Sequence, residues 1–445
     1  MIHRPHGPWF ILLAVVLLVT VPAAYSETVF DWGGSVDYMG TLSVTPDADY
    51  NQELNAGLRA AIYISESLTF KAKGSYTYNE DRPVYADVDY GWLKKQVLFD
   101  KQAEQNGRKS LLHFTLGRFR VKEFSGYVFN HTLDGVQMGF ELPFMSLSAG
   151  TGYTGLTFMP SSSIIVTNSD YSDHSGLADD GYELSPEKLI GTLNVSFPSL
   201  AFKQNLLFSA VVQKDFRQDF YEDKDDDELD TEYFGIGVQG RSIPSLYHDV
   251  YFFLNTGRGN FDVLGYLAGG ELRYYNKELL FSRVRLGGLY SSGDKEKDYY
   301  TYLYGGPDFN GTSSSFMPLS DSPSFGLVFS PQIGNITLGR LSYSMKPFGF
   351  SDKKSLESIQ VELLGVSFFR STGGIISNET LKPGSSEKYL GTEVDLKVRY
   401  RPFSDLGVSI TGGLFFPNDD GDDAPLVKGD SPVRSAIQAH VSFSY

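Results

Sequence analysis

The feature that most constrains this chain is a series of segments in which apolar and polar residues alternate one by one. In Ile437–Tyr445, the odd positions are apolar or aromatic and the even positions are polar. The same alternation recurs in segments such as Ser67–Tyr78 and Leu390–Tyr400. Successive side chains of a β-strand point to opposite faces, so this pattern predicts strands with one apolar and one polar face. The sequence therefore favours an all-β fold.

The first 26 residues have the organisation of a secretory signal peptide. A short polar stretch with Arg4 precedes the apolar run Trp9–Val21, and the small-residue exit Ala24-Tyr25-Ser26 follows. The apolar run is too short for a comfortable membrane-spanning helix, which argues against an uncleaved anchor. We therefore expect residues 1–26 to be a signal peptide and residues 27–445 to form one exported β-domain.

The alternation alone fits either a soluble β-sandwich or a membrane barrel, because both have one apolar face per strand. No stretch after Ser26 holds 18 consecutive apolar residues, so any membrane span must be built from strands. Aromatic residues stand at strand ends, for example Tyr76, Tyr78 and Tyr274, where barrels carry interfacial girdles. Together with the export signal and the aromatic-terminated last strand, these features favour a barrel in the cell outer membrane.

The strand count follows from the number of alternating segments. They predict a transmembrane antiparallel up-and-down β-barrel of about 18 strands, with 16 as the alternative, since such barrels take even numbers. The doubtful stretch is Pro323–Met345, where Pro331 marks either a turn between two strands or a bulge. Long polar loops, which normally face outside the cell, are expected at Phe158–Glu187, Arg217–Asp230, Ser291–Ser322, Ser371–Glu387 and Pro417–Pro432, and a short turn at Arg401–Asp405.

The composition argues against several functional classes. The formal net charge is −16, or −17 once Arg4 is removed, which disfavours nucleic acid as a partner. The acidic runs at 222–228 and 418–423 lack the complete spacing of a calcium loop. There is no cysteine, and no nucleophile motif accompanies the histidines of the mature chain, so neither catalysis, a metal site nor a cofactor is expected.

Two short motifs carry a resemblance to a known family. Leu116-Gly117-Arg118, followed by Leu133-Asp134-Gly135-Val136, resembles a Gly-Arg and Asp-Gly pattern of large outer-membrane porins and alginate-export-type barrels. The ending Gly413-Leu414-Phe415-Phe416-Pro417, a polar loop and an aromatic-terminated strand is similar to the closing hairpin of such porins. The resemblance implies a β-barrel pore and names no substrate. By analogy with general porins, a homotrimer is a possible assembly.

Charged residues on the polar face of the strands are the candidates for a pore wall. Nine basic and five acidic residues make the predicted wall net basic although the chain is net acidic. The basic residues are Arg59, Lys71, Lys73, Arg273, Arg283, Arg285, Arg340, Lys397 and Arg399, and the acidic residues are Asp87, Asp89, Glu271, Glu393 and Asp395. One hypothesis is that basic and acidic rows face each other across a water-filled opening and favour anions. The other is that the charges pair along the wall and only keep it solvated.

Arg118 and Arg120 do not fit strict alternation, which would point both at lipid. An arginine facing lipid near the bilayer centre costs about 2–4 kcal/mol. Either the strand has left the hydrocarbon by Arg118, or a bulge at Gly117 turns both side chains inward and exposes Phe119 and Val121 instead. We favour the bulge, which would add Arg118 and Arg120 to the pore wall.

The sequence as a whole indicates a channel for passive or weakly selective diffusion of ions and small hydrophilic solutes across an outer membrane. Its partners would be membrane lipid and the solutes themselves. The alternative is a surface adhesin or structural barrel whose lumen is occluded. An energy-coupled transporter is disfavoured because strands begin near Phe30 and leave no room for an amino-terminal plug domain.

Overall fold

The computed structural model describes residues 28–44, 48–79, 85–98, 110–154, 164, 166–167, 170, 188–201, 203–216, 228–259, 261–295, 311–376, 381, 385, 387–419 and 433–445. Within these residues the chain is mostly strand. The strands are β1 (Val29–Val44), β2 (Asp49–Ser65), β3 (Leu68–Asn79), β4 (Tyr85–Leu98), β5 (Leu111–Lys122), β6 (Asn130–Leu142), β7 (Met145–Tyr153), β8 (Lys188–Ala201), β9 (Gln204–Asp215), β10 (Leu229–Ile243), β11 (Leu246–Gly259), β12 (Asp262–Asn276), β13 (Ser282–Ser291), β14 (Thr312–Ser313), β15 (Ile336–Met345), β16 (Gln360–Arg370), β17 (Tyr389–Tyr400), β18 (Leu406–Pro417) and β19 (Arg434–Ser444).

Eighteen of these strands form one closed antiparallel sheet. Each strand pairs with its neighbours along the chain, with β13 pairing directly to β15. The barrel closes where β1 pairs with β19 in a register that sets Tyr38 opposite Val441. Gly34 and Tyr445 reinforce the seam through two backbone hydrogen bonds, of 3.2 and 3.0 Å. The prediction of an 18-stranded barrel is confirmed. The two-residue β14 is not one of the 18 strands of the ring, and it pairs in parallel with the start of β12.

The two faces of the strands have the predicted chemistry. In β17, Val394, Leu396 and Val398 are 37–50% exposed, whereas Glu393 and Asp395 are at most 7% exposed. An exposed apolar row beside a buried charged row is the reverse of a water-soluble strand, and it fits a sheet whose outside meets hydrocarbon. Apolar side chains are therefore on the outer surface, and the charged side chains point to the interior of the barrel.

Some apolar residues of the strands depart from this rule because they pack inside the barrel. Leu390 was expected on the outer face but is fully buried. Gly391 has a φ of 150°, and the β16–β17 register shifts there, which leaves Leu390 as the extra residue of a bulge. Val263 and Leu267, which disturb the alternation of β12, are also buried and belong to an apolar cluster inside the barrel.

The two ends of the barrel differ in the length of their connections. Turns such as 66–67, 143–144, 244–245 and 401–405 lie at the end of the barrel where β1 begins and β19 ends. The connection between β15 and β16 also lies there and contains a short helix, α1 (Lys354–Glu357). Short turns of this kind normally face the periplasm. Within the described ranges, no helix is long and apolar enough to cross a membrane.

The opposite end carries the long connections. Most of the predicted loops at 158–187, 217–230 and 417–432 and part of the loop at 371–387 lie outside the described residues. The predicted signal peptide and both acidic runs, apart from their first or last residues, lie outside them too. The connection between β13 and β15 is largely described. Pro331 neither joins two strands nor marks a bulge: it lies in an irregular segment that precedes β15.

The apolar core of the molecule lies inside the long-loop half of the barrel. It combines inner-face residues of the wall with residues of three inward parts of the chain: residues 119–133, the described residues 164, 166, 167 and 170, and residues 311–335. Phe316, Met317, Leu319 and Ile333 of the third segment are fully buried. We call residues 119–133 the hairpin end, because they close the β5–β6 hairpin, and residues 311–335 the crossing segment.

The closure seam provides a first test of the fold. Ala439→Pro removes a backbone N–H from β19, which pairs on both sides, so we expect the barrel not to close. The loss should appear as the absence of a folded, heat-shifted band on a gel of detergent-extracted protein. The control is Ala439→Val, which keeps the ladder and places an apolar side chain on the outer face. A normal heat-shifted band for the proline variant would contradict the seam.

Candidate functional site

The crossing segment passes through the lumen from one arc of the wall to another. Near its start, Met317 donates its backbone N–H to Asn255 of β11 at 3.2 Å, and the Tyr233 hydroxyl of β10 donates to the Met317 carbonyl at 2.8 Å. Further on, Leu319 donates its N–H to the Val128 carbonyl of the hairpin end at 2.9 Å. These bonds tie the segment to β10, β11 and the hairpin end.

Two carboxylates of β17 hold the far side of the crossing segment. Glu393 accepts the backbone N–H groups of Val328 and Phe329, at 2.7 and 2.8 Å. Asp395 accepts the N–H of Leu327 at 3.2 Å. Ionised carboxylates make the stronger hydrogen bonds to backbone N–H groups. Both residues lie on the inner face, as the alternation predicted, but they bind protein backbone there.

Aromatic packing secures the same anchor. Phe329 stacks on Phe415 of β18, with 4.7 Å between the ring centroids, and meets Phe368 of β16 edge to face at 4.9 Å. All three rings are buried. Aromatic pairs of this geometry add roughly 0.5–1.5 kcal/mol beyond their buried area. The segment is therefore fixed by both polar and apolar contacts at β16–β18.

The hairpin end meets the crossing segment inside the lumen. Phe124 stacks on Phe253 of β11 with centroids 4.9 Å apart, and Tyr127 lies 5.5 Å from Tyr251. Tyr127 also stacks on Phe325 of the crossing segment at 6.2 Å. Because β11 lies six strands from β5 around the ring, these contacts place the hairpin end across the barrel interior. Together the two segments narrow the lumen.

The inward residues Val166, Thr167 and Asp170 are held by a buried ion cluster. The Lys188 ammonium lies 2.6 Å from Asp170 and 3.5 Å from Asp215, and all three side chains are at most 1% exposed. Asp170 also accepts the backbone N–H groups of Val166 and Thr167. Fully buried charges persist in a fold when they are paired and hydrogen-bonded in this way.

A large cavity lies between the β2–β5 wall and the inward segments. Its volume is about 940 Å³. Its lining combines polar side chains with a few aromatic rings. It includes the partly exposed ion pair of Lys73 and Asp89, whose charged atoms are 2.6 Å apart. Polar wall residues Asn55 and Thr77 hydrogen-bond each other at 2.7 Å, and Asp321 of the crossing segment faces the same space. A cavity of this size and polarity fits water and small solutes.

A smaller cavity of about 130 Å³ lies against β11–β15. Arg340 donates to Glu271 at 2.7 Å across its wall, and Arg273 lies 3.6 Å from the same carboxylate. Tyr127 of the hairpin end and Asp249 complete the charged and polar lining. The constriction therefore includes an arginine–glutamate pair from the wall beside a tyrosine from the hairpin end.

Between the smaller cavity and the short turns, arginine is the main charged residue on the β13–β17 wall. The Glu362 carboxylate of β16 forms ion pairs with Arg285 and Arg399, and its distance to the Arg399 guanidinium is 2.8 Å. The Arg283 guanidinium lies 4.0 Å from the same carboxylate. The Glu362 side chain is 7% exposed, whereas the arginines are 28–42% exposed. One buried carboxylate thus orders three guanidinium groups that remain open to the lumen.

The sixteen predicted pore-lining residues fall on two arcs of the wall. The first arc, β2–β5, carries Arg59, Lys71, Lys73, Asp87, Asp89, Arg118 and Arg120, and the second, β12–β17, carries Glu271, Arg273, Arg283, Arg285, Arg340, Glu393, Asp395, Lys397 and Arg399. In the first arc the Lys71 ammonium lies 5.8 Å from the ring centroids of Tyr63 and Trp92. That these residues line a conducting pore stays a prediction.

The prediction for Arg118 and Arg120 is wrong in one respect. Gly117 has the unusual φ of 118° that a local distortion requires, but Phe119 and Val121 are 5% and 3% exposed and pack in the inner apolar cluster. The bulge would have exposed them to lipid. They stay inside because the whole hairpin end leaves the wall, and Arg118 is buried between strands while Arg120 borders the large cavity.

In the described wall, acidic residues pair with basic residues on the same side of the lumen more than with residues across it. Glu271 pairs with Arg340, Asp89 with Lys73, and Glu362 with its arginines, each on a neighbouring or nearby strand. The sequence reasoning missed Glu362, because the apolar residues Leu364, Val366 and Phe368 on the same face of β16 hide the alternation. Those residues face inward under the crossing segment. Their burial is a long-range effect that no local pattern reports.

No site for a metal ion is formed by His, Cys, Asp or Glu residues within the described part of the chain. The charged groups found together are arginine–carboxylate and lysine–carboxylate pairs, and both carboxylates of β17 bind backbone N–H groups. This arrangement consists of charged side chains together with the backbone groups that they bind. What it offers chemically is a hydrated, charged passage.

The geometry defines an 18-stranded barrel of the outer-membrane type, narrowed by inward segments. No family model matches the chain, and no curated protein matches it in sequence. Solved structures of similar fold come from Pseudomonas aeruginosa. OccK5 (OpdH) is 13% identical with a TM-score of 0.54, over 93% of this chain and 98% of that chain. The outer membrane protein opdK is 10% identical with a TM-score of 0.57, and the match covers 93% of this chain and 98% of that chain.

A third similar structure is that of OccK2 (OpdF) in complex with glucuronate. It is 10% identical with a TM-score of 0.58, over 93% of this chain and 97% of that chain. At such identities the similarity establishes the fold. The fold that the porin resemblance implied is thereby confirmed over nearly the full length of the chain.

The carboxylate anchor gives a second prediction. Glu393→Ala removes the acceptor for two buried backbone N–H groups, each of which costs about 1–3 kcal/mol when left unsatisfied. We expect the amides of Val328 and Phe329 to exchange their hydrogens markedly faster, measured by mass spectrometry on folded protein. Glu278→Ala, in an exposed turn, is the control and should leave this exchange unchanged. Unchanged exchange in the Glu393 variant would contradict the anchor.

Proposed function

We propose that this chain is an outer-membrane channel through which ions and small hydrophilic solutes diffuse, with a preference for anions. The proposal rests on a closed barrel whose lumen keeps a polar cavity of about 940 Å³ beside its inward segments. Passage through such a barrel needs no chemical step, because selectivity follows from the width and charge of the path. The similar fold of the outer membrane protein opdK supports the location.

The charge of the β11–β17 wall supports the anion preference. In its described inner face, six partly exposed basic residues stand against three carboxylates that are not bound to the crossing segment, and Arg370 on the same face is buried. The basic residues are Arg273, Arg283, Arg285, Arg340, Lys397 and Arg399, and the carboxylates are Asp249, Glu271 and Glu362. Glu393 and Asp395 are engaged by backbone N–H groups, which offsets part of their charge. A net positive wall attracts anions into the lumen.

Glucuronate, the ligand of OccK2 (OpdF), is a carboxylate-bearing sugar. A ligand of that class would suit the arginine-rich wall described above, since guanidinium groups bind carboxylates in a bidentate manner. We therefore propose small organic anions as the preferred solutes. A homotrimer and cleavage of residues 1–26 remain proposals from the sequence.

The second candidate function is a structural barrel or adhesin with an occluded lumen. One observation favours it: the inward segments bury a large apolar cluster inside the barrel and fill much of its long-loop half. Single-channel recording separates the two candidates. Discrete conductance steps from the purified protein support the channel, whereas a barrel that inserts normally and gives no steps supports the occluded form.

Selectivity provides the third prediction. The double variant Arg283→Gln/Arg399→Gln removes two lumen-facing charges and should lower the anion-to-cation permeability ratio by about twofold, because wall charge sets the preference. The ratio is obtained from reversal potentials in a salt gradient. The control is Arg258→Gln, whose guanidinium is 91% exposed at the long-loop end. An unchanged ratio in the double variant would exclude this wall as the selectivity element.

The fourth prediction concerns pH. Asp321 faces the large cavity but lies inside the barrel, and burial by the surrounding protein raises the pKa of its carboxyl group. As the pH falls from 7, Asp321 therefore becomes neutral above the usual aspartate range, which is near pH 4. The cavity then loses a negative charge, and the anion preference should rise.

Reversal potentials of wild type and Asp321→Asn between pH 7 and about pH 4 test this. The variant should show the higher anion preference already at pH 7 and a smaller rise of that preference than wild type above the usual aspartate range. Two superimposable pH profiles would contradict the assignment to Asp321.

A further inference from the structure

The β5–β6 hairpin separates from both neighbouring strands at one level of the barrel. Its ladder with β4 ends at the pair of Gly91 with Arg118, and its ladder with β7 ends at the pair of Asp134 with Tyr153. The two strands of the hairpin nevertheless stay paired to each other as far as Lys122. The hairpin end is therefore a two-stranded arm that leaves the wall as a unit.

A row of glycines crosses the hairpin at the level where it leaves. Gly117 of β5 pairs with Gly135 of β6, which pairs with Gly152 of β7. Gly117 has a φ of 118°, and a Cβ atom there would clash with the Gly91 carbonyl of β4. A backbone of this kind is accessible to glycine and strained for other residues. The row allows the sharp change of direction but does not fix its angle.

Arg118 occupies the first position beyond the glycine and is bound on both sides. Its Nε and Nη2 donate to the two carboxylate oxygens of Asp134, at 2.8 and 2.7 Å, in a bidentate pair across the hairpin. Its Nη1 donates to the Val88 carbonyl of β4 at 3.1 Å and lies 3.8 Å from Asp87. The guanidinium thus joins the departing hairpin to the strand it departs from.

The Arg118 guanidinium is buried, so its hydrogen bonds can fix the angle between the hairpin end and the wall. Arg118 is 6% exposed, and the Asp87 and Asp134 side chains are 4% and 12% exposed. A planar guanidinium with two parallel bonds to a carboxylate tolerates little rotation. Both motifs behind the porin resemblance, Gly117-Arg118 and Asp134-Gly135, meet here as one cross-strand unit.

We propose that Arg118 is a positioning residue: its bidentate pair with Asp134, anchored on β4, sets the angle at which the hairpin end enters the lumen. That angle determines where Tyr127 lies relative to Arg340 and hence the width of the constriction. Arg118 acts through the hairpin end and does not itself face the solute path. The inference rests on the proposed channel function for its effect on conductance, but the geometry can be tested without it.

The test combines channel recording with a distance measurement on the full-length chain. The chain has no cysteine, so Lys122→Cys and Ser355→Cys give two spin-label sites without further changes. One reports the hairpin end and the other the short-turn end of the wall. Arg118→Gln should broaden and shift the distance distribution and raise single-channel conductance by about twofold or more, since a displaced hairpin end leaves a wider opening.

Two further variants guard against a loss of folding. Asp134→Asn keeps the arginine and removes the ionised acceptor, and Arg118→Lys keeps the charge but replaces the bidentate fork by a point charge. Both should give intermediate conductance and broadened distances, with Arg118→Lys nearer to wild type. The matched control is Arg258→Gln, which removes an exposed pair with Asp262 and should change neither property.

The outcomes separate a positioning role from a purely stabilising one. If Arg118→Gln inserts with a normal heat-shifted band and keeps both the wild-type conductance and the wild-type distances, the proposal is overturned. If that variant does not insert, wild-type behaviour of both Arg118→Lys and Asp134→Asn overturns it equally. A wild-type protein without conductance steps would contradict the channel function, whereas the spin-label distances would still decide the geometry.

Discussion

The closed hydrogen-bond ladder of the barrel is the constraint on which the rest of the structure depends. A bilayer offers no water to an unpaired backbone N–H or C=O group, so a spanning sheet must close on itself. Here β1 and β19 complete that ladder, and every outward residue is free to be apolar. Function must then be built on the inner face and on segments that return into the lumen. The closure gives rigidity to the wall, and the inward segments define the opening.

The inward segments give the two halves of the lumen different chemistry. At the short-turn end the inner face is polar and rich in arginine, because it meets water. At the long-loop end, Leu267, Phe368 and Phe415 point inward from the wall and pack with Phe329 and other residues of the crossing segment. A single strand such as β16 therefore changes from a charged to an apolar inner face along its length, from Glu362 to Phe368.

This division explains what could be predicted from the sequence. Alternation identifies the strands and their count, because it is imposed locally by lipid on one face and water on the other. It also places Glu393 and Arg399 on the inner face. It fails at Leu390 and Leu267, where the water side is replaced by protein.

The partners of the inner-face residues are beyond any local pattern. That Glu393 binds the backbone of residues 65 and 64 positions away is decided by where the crossing segment lies. The sequence located the long loops but could not say which of them folds into the lumen. The choice depends on complementarity among Phe329, Phe368 and Phe415, three aromatic rings from distant parts of the chain.

The pairing of charges along the wall is compatible with selectivity. A guanidinium has five N–H donors, and one carboxylate cannot occupy the donors of three arginines. Glu362 therefore orients Arg283, Arg285 and Arg399 without using up their capacity to bind an anion, and it lies deeper than they do. The buried Glu362 carboxylate keeps the three more exposed arginines ordered. The surface that these arginines present to the lumen therefore stays positively charged. Pairing of charges along the wall, the second hypothesis drawn from the sequence, therefore does not by itself exclude the anion preference proposed above.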